Sequence, residues 1–382
     1  MSLTEVFMTN RERLHAIMDG RPPDRIPWIP RMLIWHTART KTGTLPERFR
    51  GMSLREVERA LGLGTPAREG RVFREVVEGV ETASRQVDGD LVHEFRTPVG
   101  TVTSRVRRSE ELDRVGIQGM EVEHILKGPD DYRVVEYMIE HTRYEPCYDE
   151  YLRYEAEIEE DGVPLVTAGD CPFHHFLQKL AGYQTGYYHL HDYPDRVSRL
   201  MGLMAERDRE KWEIVAKSPA RLILHGVHFD SAMTPPPLFK KHITPYYIEF
   251  SDLLHRHGKT LCMHADADSR LILQDIRESG FDMAETFTTD PMVKCTLEEA
   301  RAAWGDEVII WGGVPSIILE PTVSEAEFEA YMRRVFRAVA PGDAFILGVA
   351  DNVMPAAMVA RIERITEMVE AWGGYPIKEV LS

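Results

Sequence analysis

From Pro164 to Asn352 the chain repeats one pattern: a short apolar run, a polar break, a stretch of helix length, then another apolar run. The runs are PLVTAG, RLILHGVHF, TLCMHA, DMAETF, EVIIWGGV and AFILGVA. Short apolar segments separated by helical spacers predict parallel strands joined by crossover helices. At 382 residues the chain has room for two domains, but a single barrel with insertions also reaches this length. No repeat, low-complexity tract or linker divides it. The expectation is an α/β fold: one (β/α)8 barrel of the TIM type spanning residues 1–382.

The segment before Pro164 reads as an N-terminal elaboration. TNRERLHAIMD opens with a cap and predicts an amphipathic helix over Thr9–Asp19. IPWIPRM follows a Pro-rich turn and is a candidate first inner strand. Ser53 with Glu56 spells a capping box inside Leu45–Leu61. Between about residues 70 and 107 the texture changes to Val- and Thr-rich runs around Thr-Pro-Val-Gly, predicting an antiparallel β-excursion. Helices are expected from Gly128 through Tyr144 and over Glu150–Gly162.

Chemistry concentrates between Arg221 and Asp290, where RLILHGVHFD, KTLCMHADAD and DMAETFTTD each run apolar and then break into His, Asp or Glu. In βα-repeat folds, ligands sit at the carboxyl ends of the strands. Strand alternation would put His228 and Asp230 on one face, and Cys262, His264 and Asp266 on another, with Glu285 one strand later. Imidazole and carboxylate together suit zinc or a similar divalent ion. A His-x-Asp on a strand also forms ordinary hydrogen-bonded pairs, and Cys262 can equally be a small buried residue. Asp170 and His174, in DCPFHH, can face the cavity or cap the following helix. The Gly pair after Trp311 would let a backbone approach a ligand closely. Without GxGxxG or a P-loop lysine, nucleotide binding is unsupported. Asp351 closes the last strand and is a further cavity candidate.

The net charge of −16 argues against a nucleic-acid or anionic-membrane surface. No apolar run approaches the ~20 residues of a membrane span. MSLTEVFMTNRERL lacks the layout of a signal peptide. Cys147, Cys171, Cys262 and Cys295 show no CxxC spacing. A reducing, cytoplasmic setting is expected.

IPWIPR, LPERFR, AGDCPFHHF, HGK with MHAD, and IIWGGVPSIIL before FILGVADN stand in an order that resembles the uroporphyrinogen decarboxylase superfamily over nearly the whole chain. That superfamily includes the decarboxylase and the methyltransferases of corrinoid-dependent systems. The decarboxylase branch carries an arginine pair around Gln-Ala-Gly; Arg31 matches the first arginine, but Met32, Leu33, Ile34 and Trp35 follow it. Val349 stands where that branch has a functional histidine. The chain is closer in pattern to the methyltransferase branch, to which a β-excursion is common. Thiol-methylating members hold zinc with His-x-Cys and a distant Cys, whereas this sequence has His264-Ala-Asp266 and no late cysteine.

The resemblance therefore implies members that cleave a methyl donor, such as a methoxylated aromatic. A divalent metal, zinc first, would sit on His264, Asp266 and Glu285, polarising the ether oxygen. Asp230, His228 and Asp170 would serve the chemistry, and Arg31, His174, Trp311 and Asp351 would contact substrate. The acceptor would be the Co(I) of a corrinoid carried by a separate small protein, and a homodimer is one arrangement open to the chain. A metal-free decarboxylase, or a barrel that binds without reacting, are the competing readings.

Overall fold

Helices begin where the sequence supplies caps. Thr9 with Glu12, Ser53 with Glu56, Thr296 with Glu299 and Ser324 with Glu327 form capping boxes at helices Asn10–Met18, Leu54–Ala60, Leu297–Trp304 and Glu325–Val339. Each hydroxyl accepts the third-residue N–H while the glutamate accepts the cap N–H, satisfying two donors the helix would leave orphaned. The structure is a computed structural model that describes residues 7–117 and 119–378.

Twelve strands occur among those residues: β1 (Phe73–Val77), β2 (Glu81–Val87), β3 (Asp90–Thr97), β4 (Gly100–Arg107), β5 (Met120–Glu123), β6 (Thr142–Pro146), β7 (Leu165–Gly169), β8 (Leu222–Val227), β9 (Thr260–His264), β10 (Met283–Phe287), β11 (Ile309–Val314) and β12 (Phe345–Val349). The last six form one parallel sheet in the order β12-β11-β10-β9-β8-β7. These are the six apolar runs of the sequence, linked by helices.

Alternation sorts their side chains. Leu165, Leu222, Leu224, Cys262, Met283, Ile309, Trp311 and Ile346 form a small core on one face of the sheet. Val166, Ile223, Leu261, Met263, Ala284, Ile310 and Leu347 pack into the larger core that includes the helices. Because the strands are parallel and successive, the polar residues after them collect along one edge.

The regular sheet stops at six strands rather than the eight of a closed barrel. At its edges are single parallel bridges, Trp28 to Leu347 beside β12 and Gly70 to Val166 beside β7. The Gly64 N–H donates to the Trp28 carbonyl at 3.0 Å. Proline explains the irregularity: Pro27, Pro30 and Pro66 lack the N–H that a ladder needs.

The β-excursion is larger than its sequence expectation. β2, β3, β4 and β5 form an antiparallel sheet, and β1 pairs antiparallel with β6. The helix expected through Tyr144 stops at Glu140, and Thr142–Pro146 becomes β6 instead. All four cysteines are free thiols. Among the described residues, no helix is long and apolar enough to cross a membrane.

Candidate active site

β9 ends on His264 and β10 carries Glu285 directly beside it, since the register pairs these two residues. Both are buried. His264 Nδ1 lies 2.8 Å from a Glu285 oxygen and 2.7 Å from the Thr286 hydroxyl. The other Glu285 oxygen pairs with the Arg68 guanidinium. His264 Nε2 faces the opposite way, 3.4 Å from Asp266 and 3.6 Å from Asp351. Asp266 in turn bonds His228 Nδ1, and Arg31 reaches Asp351 at 2.8 Å. A compact ionic cluster thus gathers residues from six separate stretches of chain.

The backbone is strained around it. His228, Thr286 and Asp351 all have positive φ, near 57°, 57° and 53°. Ala67, next to Arg68, is a fourth such residue. A β-branched residue in this region is unusual, and each such residue costs of order 1–3 kcal/mol. Strain of this kind persists where the surroundings over-determine a geometry, commonly at functional sites.

The electrostatics follow from burial and pairing. Burial works against a charged His264, but the carboxylates of Asp266, Asp351 and Glu285 outweigh it and push its pKa up to about 10. Burial would raise Asp266, yet bonds from His228 and His264 hold it far below the usual carboxylate range. Glu285 is likewise held low against its burial by Arg68 and His264. Burial and the neighbouring Arg68 lower Arg31.

One ligand atom each from His228, His264 and Asp266 lies within 4.8 Å of the others. Two imidazoles and a carboxylate suit zinc or a related metal, and three protein ligands leave a position open. Glu285, expected as a ligand, lies on the Nδ1 side of His264, away from this group. It orients the imidazole, as carboxylates behind metal-bound histidines do. His228, expected in the chemistry, joins the potential ligands instead.

Other expected residues lie elsewhere. Regular alternation fails after β8, because the strand ends at Val227 and His228 turns left-handed. Asp230 consequently accepts the Ala232 and Met233 N–H groups at 2.8 and 3.0 Å, as a turn cap. Asp170 bonds the Cys171 N–H and His174 Nδ1, both at 2.7 Å, and His174 continues to Tyr183. Neither touches the His264 cluster. Trp311 is buried, its indole N–H donating to the Ile29 carbonyl at 3.0 Å, which is a packing role. Arg68 was missed by sequence reading: it stands in TPAREG, which matches no motif.

Residues 117–372 match the family described as uroporphyrinogen decarboxylase (URO-D), well over half of the chain. The chain belongs to that family. Among solved structures it is similar to a methyltransferase from Methanosarcina mazei, with a TM-score of 0.56 and 13% identity, covering 95% of this chain and 99% of that one. At such identity the likeness speaks for the fold. No curated protein matches.

Proposed function

We propose that this protein is an enzyme of the methyltransferase kind within its family, moving a methyl group from a small methylated donor to a corrinoid on a separate protein. The observation that carries the reading is the cluster of His228, His264 and Asp266 at the ends of adjacent strands β8 and β9. A divalent ion held there would supply a Lewis acid for a methoxyl oxygen, making the demethylated group a better leaving group. Glu285 and Thr286 fix the His264 ring from behind, and Arg31 holds Asp351 at the rim. The same reading makes the chain a single domain whose sheet is an eight-membered barrel, with the segments at Trp28 and Gly70 in the two remaining strand positions.

A decarboxylase of polycarboxylates would need free cations to grip its substrate. Both arginines of this cluster are already engaged, Arg31 with Asp351 and Arg68 with Glu285. That favours the methyltransferase reading.

The test is metal analysis of protein purified without added metal, with corrinoid methylation measured on a panel of methoxylated aromatics. Wild type should carry about one ion per chain and transfer methyl groups, and His264→Ala should lose both with the fold intact. Stoichiometric metal and full activity in His264→Ala would discard the site. A metal-free wild type that still methylates corrinoid would discard the role of the ion. Turnover of uroporphyrinogen instead would favour the decarboxylase.

A further inference from the structure

A cavity of about 400 Å³ lies between the C-terminal half of β7, the long helix Pro194–Lys217 and the β1–β6 ribbon. That volume falls in the range of small-molecule sites, roughly 300–1,000 Å³. The cavity shares no residue with the His228–His264–Asp266 group.

Its polar lining is costly to bury. Lys211 and Asp208 are both buried and paired at 2.7 Å. The second Asp208 oxygen accepts the Tyr246 hydroxyl at 2.7 Å, and His225 follows at 3.4 Å. His225 then bonds Tyr247 at 3.0 Å, and Tyr247 donates to Asp170 at 3.3 Å. His225 belongs to β8, and its side chain shares the helix-facing side with Ile223. A barrel with only packing needs would place apolar residues here, because buried ion pairs seldom stabilise more than hydrophobic replacements.

Protein donors already reach both oxygens of Asp208 and of Asp170, while the exposed Glu75 and the Arg207 guanidinium also line the cavity and add one charge of each sign. Lys211 has three N–H donors and one carboxylate partner, with the face of Tyr144 5.5 Å from its nitrogen. Burial lowers the His175 pKa, so its ring is neutral and keeps one N–H to donate. No hydrogen-bond partner is found for that ring among the described residues. Thr167 is exposed at the cavity, and Phe73, Leu180 and Met204 give it an apolar wall.

We propose that this cavity binds a small monocarboxylate with an apolar body. The carboxylate lies on Lys211, with Thr167 and His175 adding hydrogen bonds, and the body packs on Phe73, Leu180 and Met204. The proposal stands independently of methyl transfer, since it uses none of the residues assigned to that site.

Benzoate titrated calorimetrically into the full-length protein tests it, with butyrate as competitor. One saturable site is expected, about tenfold weaker in Lys211→Met. Thr167→Val should weaken binding several-fold, and Met204→Trp, which fills the cavity, should abolish it. Lys211→Met leaves Asp208 unpaired, so it is read beside its unfolding temperature, and Thr167→Val carries the test if it fails to fold. His264→Ala should bind benzoate as wild type does. No saturable binding at millimolar benzoate, or unchanged binding in Met204→Trp and Thr167→Val, would overturn the proposal. Loss of binding in His264→Ala would overturn it too, by placing the carboxylate on the ionic cluster.

Discussion

His264 has its two nitrogens set to different tasks by what surrounds each. Glu285 and Thr286 occupy Nδ1, leaving Nε2 toward Asp266 and Asp351. Removing the carboxylate behind a ligand histidine typically lowers metal affinity about 10–100-fold. Glu285→Gln is therefore expected to retain the cluster but bind metal that much more weakly, measured by competition with a chelator. Unchanged affinity would show that Glu285 does not tune His264. Arg68 was invisible in the sequence because its partner lies far off in the chain, on strand β10. His264 and Glu285 were visible because each interrupts an apolar run at its end.

Strand ends are where sequence patterns lose their authority. β8 was legible as an apolar run, yet alternation did not carry past Val227 to place Asp230. Gly226 prepares the departure: its φ is +90°, and a Cβ there would meet the Tyr247 hydroxyl at 2.5 Å. Gly226→Ala should therefore push on Tyr247 and disturb the turn into His228. Overpacking of this kind costs about 1–3 kcal/mol. The expected outcome is a lower urea midpoint with an unchanged denaturant slope, and weaker metal binding through His228. A midpoint equal to wild type would mean that the helix Thr244–Arg256 yields without cost. The β1–β6 pairing was illegible for another reason: Thr142–Pro146 has the length of a helix end, and only its distant partner β1 makes it a strand.

At the scale of the whole molecule, the periodicity was enough to give the six-stranded parallel sheet, because all of those strands but β7 are buried on both faces along nearly their whole length. The two edge segments were harder, since their prolines break the ladder that would define them. Buried charge was hardest of all, because nothing local in a sequence says that a helix-surface position is covered. Glu58 is the plainest case. It sits in the helix Leu54–Ala60, is buried, and neither carboxylate oxygen has a hydrogen-bond partner among the described residues. Burial pushes its pKa up to about 8. The folded protein then holds a proton that the unfolded chain releases between the ordinary value of 4.5 and about 8. Stability must fall as pH rises through that window and level off above it, because the folded state binds more protons there. Glu58→Gln is neutral in both states and removes this contribution. Urea midpoints across the window should accordingly decline more steeply in wild type than in Glu58→Gln, with the variant gaining most above about pH 8. Parallel profiles would show that Glu58 is ionised in the folded protein, its charge stabilised by water reaching the helix.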